Sequence, residues 1–309
     1  MKALRAVSLA NTVVMLLAVL WGAWVTSSDS GDGCGASWPL CKGTFMPEWD
    51  YAAIIEFGHR VVSALAGLLS VVVLVWVVRA LPAETRLKRL ALGTCFFVVL
   101  QGALGAAAVL RPQPDLVMAL HFGFSLLCFT FALLVTVALG NLARAPAAGA
   151  FPPEIDSGLR VQLWGLAVYT YLVMYLGAYV RHLGASLACT GWPLCNGELI
   201  PPLYGPVGAN FAHRLGAALA VVLVLRLWWT ARRLAGVPDL RRGAAWALVL
   251  MLAQVASGAL FPLGYLNLLT QLLHTGLISA FWGVLSYLCY LTLPEKQRAA
   301  AVRVSQMGG

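Results

Sequence analysis

Eight apolar runs, each long enough to cross a lipid bilayer, constrain this chain more than any other feature. A membrane span needs about 20 mostly apolar residues. The chain is 61% hydrophobic and only 11% charged, which is more apolar surface than a soluble domain can keep away from water. Because lipid offers no partner to backbone polar groups, each run is expected to be a helix. The predicted class is an all-α integral membrane protein with spans at 5–27, 55–79, 88–110, 116–139, 160–182, 208–230, 243–262 and 267–291.

The basic residues lie mostly on one side of this eight-span arrangement. A net charge of +9 is compatible with nucleic-acid binding, but basic loops between spans are instead typical of the cytoplasmic side of a membrane protein. We therefore expect cytoplasmic termini, contact with membrane lipid and no nucleic-acid partner. The first run resembles a signal peptide but is longer, so we expect a retained helix. The basic residues on this side are Lys2, Arg5, Arg79, Arg86, Lys88, Arg89, Arg144, Arg160, Arg226, Arg232, Arg233, Arg241, Arg242, Lys296, Arg298 and Arg303.

The two halves of the chain repeat one pattern. Both contain a short cysteine loop ending in Trp-Pro-Leu-Cys, and Gln101 recurs 153 positions later as Gln254, each in a stretch of small residues that suits close helix packing. Such self-similarity indicates a duplication. Four helices per copy give both copies the same orientation, related by a pseudo-two-fold axis along the membrane normal. The predicted division is a four-helix-bundle repeat at 1–145, a cytoplasmic linker at 146–159 and a second four-helix-bundle repeat at 160–309.

Four of the five histidines occur at matched places near the outer ends of spans. His59 is answered 154 positions later by His213, and His121 is answered 153 positions later by His274. A single intramembrane histidine is often only hydrogen-bonded between helices. Four in register favour two iron porphyrins, each with one axial imidazole from two helices; zinc or copper would need further ligands. The unmatched His182 is either an interfacial residue or part of the outer mouth of the second site.

The residues beside the first histidine of each half differ. Glu56 stands three residues before it in one half, and Asn210 takes that place in the other. A charged group inside the membrane costs about 2.5–3.5 kcal/mol at the midplane, which favours a carboxylate that exchanges a proton. An ion pair with Arg60 would also account for a carboxylate at this position. Arg60 and Arg214 directly follow the histidines and either meet heme propionates or extend to lipid headgroups. The asymmetry predicts one substrate site and one cofactor site.

These motifs resemble those of the heme A synthase family over essentially the whole chain. The resemblance rests on Glu56-Phe-Gly-His59-Arg60, His121, Asn210-Phe-Ala-His213-Arg214, His274 and the two cysteine loops. It implies an oxidoreductase of the prokaryotic plasma membrane that oxidises the C8 methyl group of heme O to the formyl group of heme A by successive hydroxylations.

The resemblance also implies a role for each half. His59 and His121, with Arg60, would bind the substrate heme O, and Glu56 would be the catalytic residue. The second pair, His213 and His274 with Arg214, would hold heme b as the permanent cofactor that passes electrons onward. Heme O synthase and an electron acceptor are the expected partners, and a homo-oligomer is compatible with the apolar surface.

Four of the seven cysteines form two close pairs in outer loops. That side is oxidising in a prokaryote, so Cys34–Cys41 and Cys189–Cys195 are predicted disulfides. They are either structural staples over the heme sites or, for the first pair, a redox group. The remaining cysteines are expected to pack within spans; they are Cys95, Cys128 and Cys289.

Two other functions fit parts of the pattern. A diheme b-type cytochrome that carries electrons across the membrane would explain two bis-histidine sites, but it predicts hemes at two depths and gives no reason for Glu56 opposite Asn210. A heme transporter would need a translocation path and usually an energy source, and the sequence has no phosphate-binding loop of the Walker type.

Overall fold

The computed structural model describes residues 1–47, 49–111, 113–143, 156–234 and 236–293. Within these residues the chain forms eight helices that are long and apolar enough to cross a membrane, and no strand. Each predicted run corresponds to one of them, so the all-α membrane fold is confirmed. The helices are α1 (Lys2–Ser27), α2 (Tyr51–Ala80), α3 (Thr85–Leu110), α4 (Asp115–Ala143), α5 (Ser157–His182), α6 (Gly205–Ala231), α7 (Pro238–Ala259) and α8 (Leu268–Leu291).

Side-chain caps fix where several of these helices begin. The carboxylate of Asp50 accepts a hydrogen bond from the amide of Ala53 at 3.1 Å at the start of α2. Asp156 caps α5 in the same way, and Asn267 forms a reciprocal capping box with Thr270 at the start of α8. First-turn amides have no partner within a helix, and these caps supply one.

The predicted span boundaries differ from the helix ends by a few residues, and at the end of the seventh span the difference has a clear physical cause. The apolar pattern predicts a seventh span over 243–262, but α7 ends at Ala259 and a short π-helix follows at Phe261–Tyr265. Pro262 has no amide hydrogen to donate back along the helix. Gly264 has a φ of 94°, a left-handed conformation that glycine adopts without steric cost. Together these two residues turn the chain toward α8.

Helices α1, α4, α5 and α8 form the centre of the molecule. Helix α1 packs on α2, α4 and α8, helix α4 packs on α3, α5 and α8, and the other four helices lie outside. Hydroxyl groups join the central helices: Thr136 on α4 hydrogen-bonds to Ser8 at 2.7 Å and to Thr12 at 2.8 Å, both on α1. The outer helices expose large apolar side chains such as Val99 and Leu68, as expected where a protein contacts lipid tails.

The alternating direction of the helices puts the two cysteine loops at one end of the molecule, and the start of α1 and the end of α8 at the other. Basic residues such as Arg86, Arg160 and Arg241 lie in the first turns of helices at this second end. Arg144, Lys296, Arg298, Arg303 and positions 146–155 of the predicted linker lie outside the described residues. The division into two repeats, and the side of the membrane that each end faces, remain predictions.

Candidate functional site

The four matched histidines lie near the helix ends that adjoin the cysteine loops. His59 and His213 follow the first residues of α2 and α6 by eight positions, and His121 and His274 follow those of α4 and α8 by six. At 1.5 Å per residue, they sit roughly 9–12 Å along their helices. Each half therefore has two imidazoles at similar depth.

A glycine on the preceding helix makes room for each of these imidazoles. A Cβ atom built on any of the four glycines would lie in contact with the Cε1 atom of one ring, and in one case well inside van der Waals distance. The distances are 3.1 Å for Gly22 and His59, 3.6 Å for Gly105 and His121, 2.6 Å for Gly177 and His213, and 3.1 Å for Gly258 and His274. At Gly22, Gly177 and Gly258 the helix backbone thus approaches the ring more closely than a residue with a side chain readily allows.

The structure brings the histidines together in the two pairs that the sequence suggests. His59 and His121 are close enough to interact electrostatically, and so are His213 and His274. The Nδ1 atoms of His59, His121 and His213 are buried and have no hydrogen-bond partner in the described part of the chain, so His274 alone of the four has a partner there. Neutral imidazole is a ligand that heme iron takes. The residues present therefore fit an iron porphyrin held by two imidazoles in each half.

The two matched glutamines belong to this site, although their sequence context indicates only helix packing. The Gln101 amide donates to the backbone oxygen of His121 at 2.7 Å and contacts the hydroxyl of Ser125. The Gln254 amide instead lies 3.0 Å from Nε2 of His274. One glutamine holds the backbone beside a histidine, whereas the other holds the ring.

Glu56 lies between its helix and the first cysteine loop. It is buried, its Oε2 accepts the amide hydrogen of Cys34 at 2.8 Å, and its Oε1 forms an ion pair with Arg60. Arg60 also donates to the backbone oxygens of Ser37 at 2.7 Å and Leu40 at 2.8 Å. Hydrogen bonds from a guanidinium group and a backbone amide hold the carboxylate in place. Glu56 therefore pairs with Arg60, which is one of the two interpretations that its position in the sequence allows.

The second half repeats this arrangement without the charge. Asn210 is buried, its Oδ1 accepts from Arg214 Nε at 3.0 Å, and its amide donates to the backbone oxygen of Ala185 at 2.7 Å. Arg214 also donates to loop carbonyls, including that of Cys189 at 2.7 Å and that of Leu194 at 3.0 Å. Both arginines therefore hold cysteine loops. Their contact with heme propionates remains a prediction.

Disulfides close both cysteine loops. Cys34 is joined to Cys41, and Cys189 is joined to Cys195. All four of these side chains are buried, and the amide of Cys34 is the donor to Glu56. The first disulfide thus lies directly beside the carboxylate of Glu56. The three remaining cysteines lie within helices as expected: Cys128 and Cys289 are buried, and Cys95 is half-buried.

His182 lies near the first site rather than the second. Its electrostatic neighbours include Asp115 at the start of α4 and His121, both in the first half. The neighbouring Arg181 donates to the backbone oxygen of Thr26 at 2.8 Å, which ties the end of α5 to the end of α1. The sequence allows His182 to be either an interfacial residue or part of the mouth of its own half, and the packing of α5 against α4 places it beside the other half.

Sequence reasoning missed the glycines of α1 and α5 and the hydroxyl of Ser257. A signal for the glycines exists: Gly22-Ala-Trp-Val and Gly177-Ala-Tyr-Val align at the same offset as the first cysteines of the two loops. No comparable signal exists for Ser257, because its matched residue is a leucine.

The fold and the site define an eight-helix integral membrane protein with two matched pairs of half-buried histidines. Residues 5–286 match the COX15-CtaA family, described as cytochrome oxidase assembly protein, and the chain belongs to that family. It is 85% identical over 306 residues to a heme A synthase of Symbiobacterium thermophilum, which covers 98% of this chain and 99% of that protein. A heme A synthase of Geobacillus kaustophilus is 39% identical over 98% of this chain and 95% of its own length. The resemblance to heme A synthases is thereby confirmed.

Proposed function

We propose that this protein is a heme A synthase, an oxidoreductase that converts the C8 methyl group of heme O to the formyl group of heme A. The observation that carries the proposal is a pair of matched imidazole sites, only one of which has a carboxylate next to its first histidine. The name and the 85% identity of the Symbiobacterium thermophilum relative support the same reaction.

The asymmetry between Glu56 and Asn210 supports a different role for each half. The first half, with His59 and His121, would bind heme O beside the carboxylate, and the second half, with His213 and His274, would hold heme b. An amide such as Asn210 keeps the hydrogen bonds of the loop but cannot take up a proton at neutral pH. Proton chemistry therefore belongs in the first half.

The first half supplies the groups that the reaction needs beyond the porphyrin itself. Converting a methyl group to a formyl group removes four electrons and adds one oxygen atom, through two hydroxylations and the loss of water from a gem-diol. Arg60 holds Oε1 of Glu56, while Oε2 accepts a single amide hydrogen bond and keeps a lone pair free for a proton. Glu56 would accept the proton released at C8. Heme b, when bound, would supply one-electron transfer away from the substrate.

The equal depth of the two histidine pairs supports this function over that of a transmembrane electron carrier. A cytochrome that spans the membrane places its hemes at two depths, whereas all four histidines here lie six or eight residues from the same ends of their helices. We propose that this end faces the outside, with cytoplasmic termini. Heme O synthase and a separate electron acceptor would then be the partners in the membrane.

The test is heme extraction from cells that co-express this chain with a heme O synthase. We expect heme A in extracts from the wild-type chain and none from Glu56→Gln, although the purified variant should still contain heme b. Glu198→Gln is the matched control, because Glu198 is an exposed acid of the second cysteine loop and should change nothing. Retained heme without any heme A from the wild type would favour the electron carrier. Full activity in Glu56→Gln would refute its role.

A further inference from the structure

The two halves differ in how the second histidine of each pair is held. At a constant offset of 153 positions, His274 matches His121, and Ser257 on α7 matches Leu104 on α3. The glycines beside the two rings, Gly258 and Gly105, match at the same offset. The two rings therefore have corresponding neighbours in the sequence, and the residue before the glycine is a serine in one half and a leucine in the other.

The hydrogen bonds of Ser257 determine which nitrogen of His274 carries the proton. The Ser257 hydroxyl donates to the backbone oxygen of Gln254 at 2.8 Å, which uses its only hydrogen. It also lies 2.8 Å from Nδ1 of His274 and must therefore accept from an Nδ1–H group. Nε2 is then left with the lone pair that binds a metal. In this structure the Gln254 amide occupies that lone pair at 3.0 Å.

No such partner holds the ring of His121. Leu104 has no polar atom to offer, and the Nδ1 atom of His121 is buried without a hydrogen-bond partner among the described residues. The hydroxyl of Ser125, one turn further along α4, donates to the backbone oxygen of His121 and accepts from the Gln101 amide. Ile278 takes the place of Ser125 in the second half and leaves the Gln254 amide free to reach the ring. In the first half the serine hydroxyl thus contacts the glutamine amide, whereas in the second half it contacts the histidine ring.

We propose that Ser257 is a positioning residue that makes the C-terminal half a permanent heme site, whereas Leu104 leaves His121 an exchangeable ligand in the N-terminal half. This inference rests on the proposed function, in which one heme must stay and the other must enter and leave. A hydrogen bond to the second ring nitrogen fixes the orientation of a ligating histidine and makes it a stronger donor, and its loss typically lowers metal affinity about 10–100-fold. A substrate site without that bond releases its product more readily.

The rate of heme release from each half tests the inference. Two backgrounds isolate the halves: His59→Ala with His121→Ala leaves only the second pair, and His213→Ala with His274→Ala leaves only the first. Each purified protein is loaded with ferric heme b and mixed with excess apomyoglobin. We expect Ser257→Ala to speed heme release from the second half about 10–100-fold and to raise the midpoint potential of that heme, because the ring donates less electron density. Ser257→Thr, which keeps the hydroxyl, should restore both values.

The converse substitution tests the first half. Leu104→Ser should slow heme release there by a similar factor, while Leu104→Ala, which removes the same bulk without adding a hydroxyl, should not. Unchanged release from Ser257→Ala, or equal effects of Leu104→Ala and Leu104→Ser, would refute the inference and leave the proposed function intact. If neither half binds heme in these backgrounds, the proposed function fails as well.

Discussion

The glycine that faces His213 provides a quantitative test of the imidazole sites. A methyl group at Gly177 would lie 2.6 Å from Cε1 of His213 and 3.2 Å from both ring nitrogens. The matched methyl group at Gly22 would lie 3.1 Å from His59, and one at Gly105 would lie 3.6 Å from His121, which is an ordinary contact. Gly177→Ala should therefore displace a ring that Gly105→Ala leaves in place.

The size of the effect follows from these distances. To reach the contact distance found at Gly105, the His213 ring must move by about 1 Å, whereas metal–ligand distances tolerate only about 0.2 Å. Overpacking a well-packed site costs about 1–3 kcal/mol. At about 1.4 kcal/mol per tenfold change, the affinity of the second half for heme should fall by roughly 5- to 150-fold. Gly105→Ala should change heme affinity in the first half by less than about threefold.

The assay is the heme content of each purified variant, measured as the pyridine hemochrome per polypeptide and followed by titration with heme b. Circular dichroism in detergent verifies that the helices are retained, so that a loss of heme is not a loss of fold. Heme binding by Gly177→Ala at the wild-type level would refute the reasoning, because the ring would then have to lie elsewhere. A greater loss in Gly105→Ala than in Gly177→Ala would refute it equally.

Three further substitutions test other parts of the site. His213→Ala should lose bound heme b, whereas His59→Ala should keep it and lose heme A formation; spectra and heme extracts showing the reverse would exchange the roles of the two halves. Arg214→Ala should lower the thermal unfolding temperature in detergent, because it removes the hydrogen bonds of a guanidinium group to the cysteine loop, each worth about 1.5–3 kcal/mol. Loss of heme at an unchanged unfolding temperature would instead identify Arg214 as a partner of a heme propionate. Serine at both Cys34 and Cys41 should lower the free energy of unfolding by about 2.5 kcal/mol, because the disulfide no longer restricts so short a loop in the unfolded chain. Heme A formation should be retained if the disulfide is only structural. An inactive protein with an unchanged unfolding temperature would instead indicate a redox role.

The sequence predicted the helices well because length and composition decide them in a membrane. The end of α7 falls short of the predicted span because Pro262 and Gly264 interrupt an otherwise apolar run. Hydropathy alone does not register such a break. The matched histidines were visible as well, since duplication exposes residues that recur at a constant offset.

The orientation of side chains was not predictable in the same way. Arg60 and Arg214 donate to carbonyl groups of the cysteine loops, which the sequence does not indicate, and their contact with heme propionates stays a prediction. His182 was expected as an interfacial residue or at the mouth of its own half, and its electrostatic neighbours include His121 of the other half. Each of these outcomes depends on how one helix end or loop folds over another.

The sequence by itself determined the number of spans, the depth of the four imidazoles and the single acid that distinguishes the halves. Only the tertiary structure decided that a glycine faces each ring and that Ser257 holds one ring while Leu104 leaves the other free. The reason is that a helix in lipid is apolar on all sides, so its sequence carries little of the amphipathic signal that shows which face of a soluble helix is buried. Which residues meet then depends on the rotation of each helix about its axis, and packing against neighbouring helices sets that rotation.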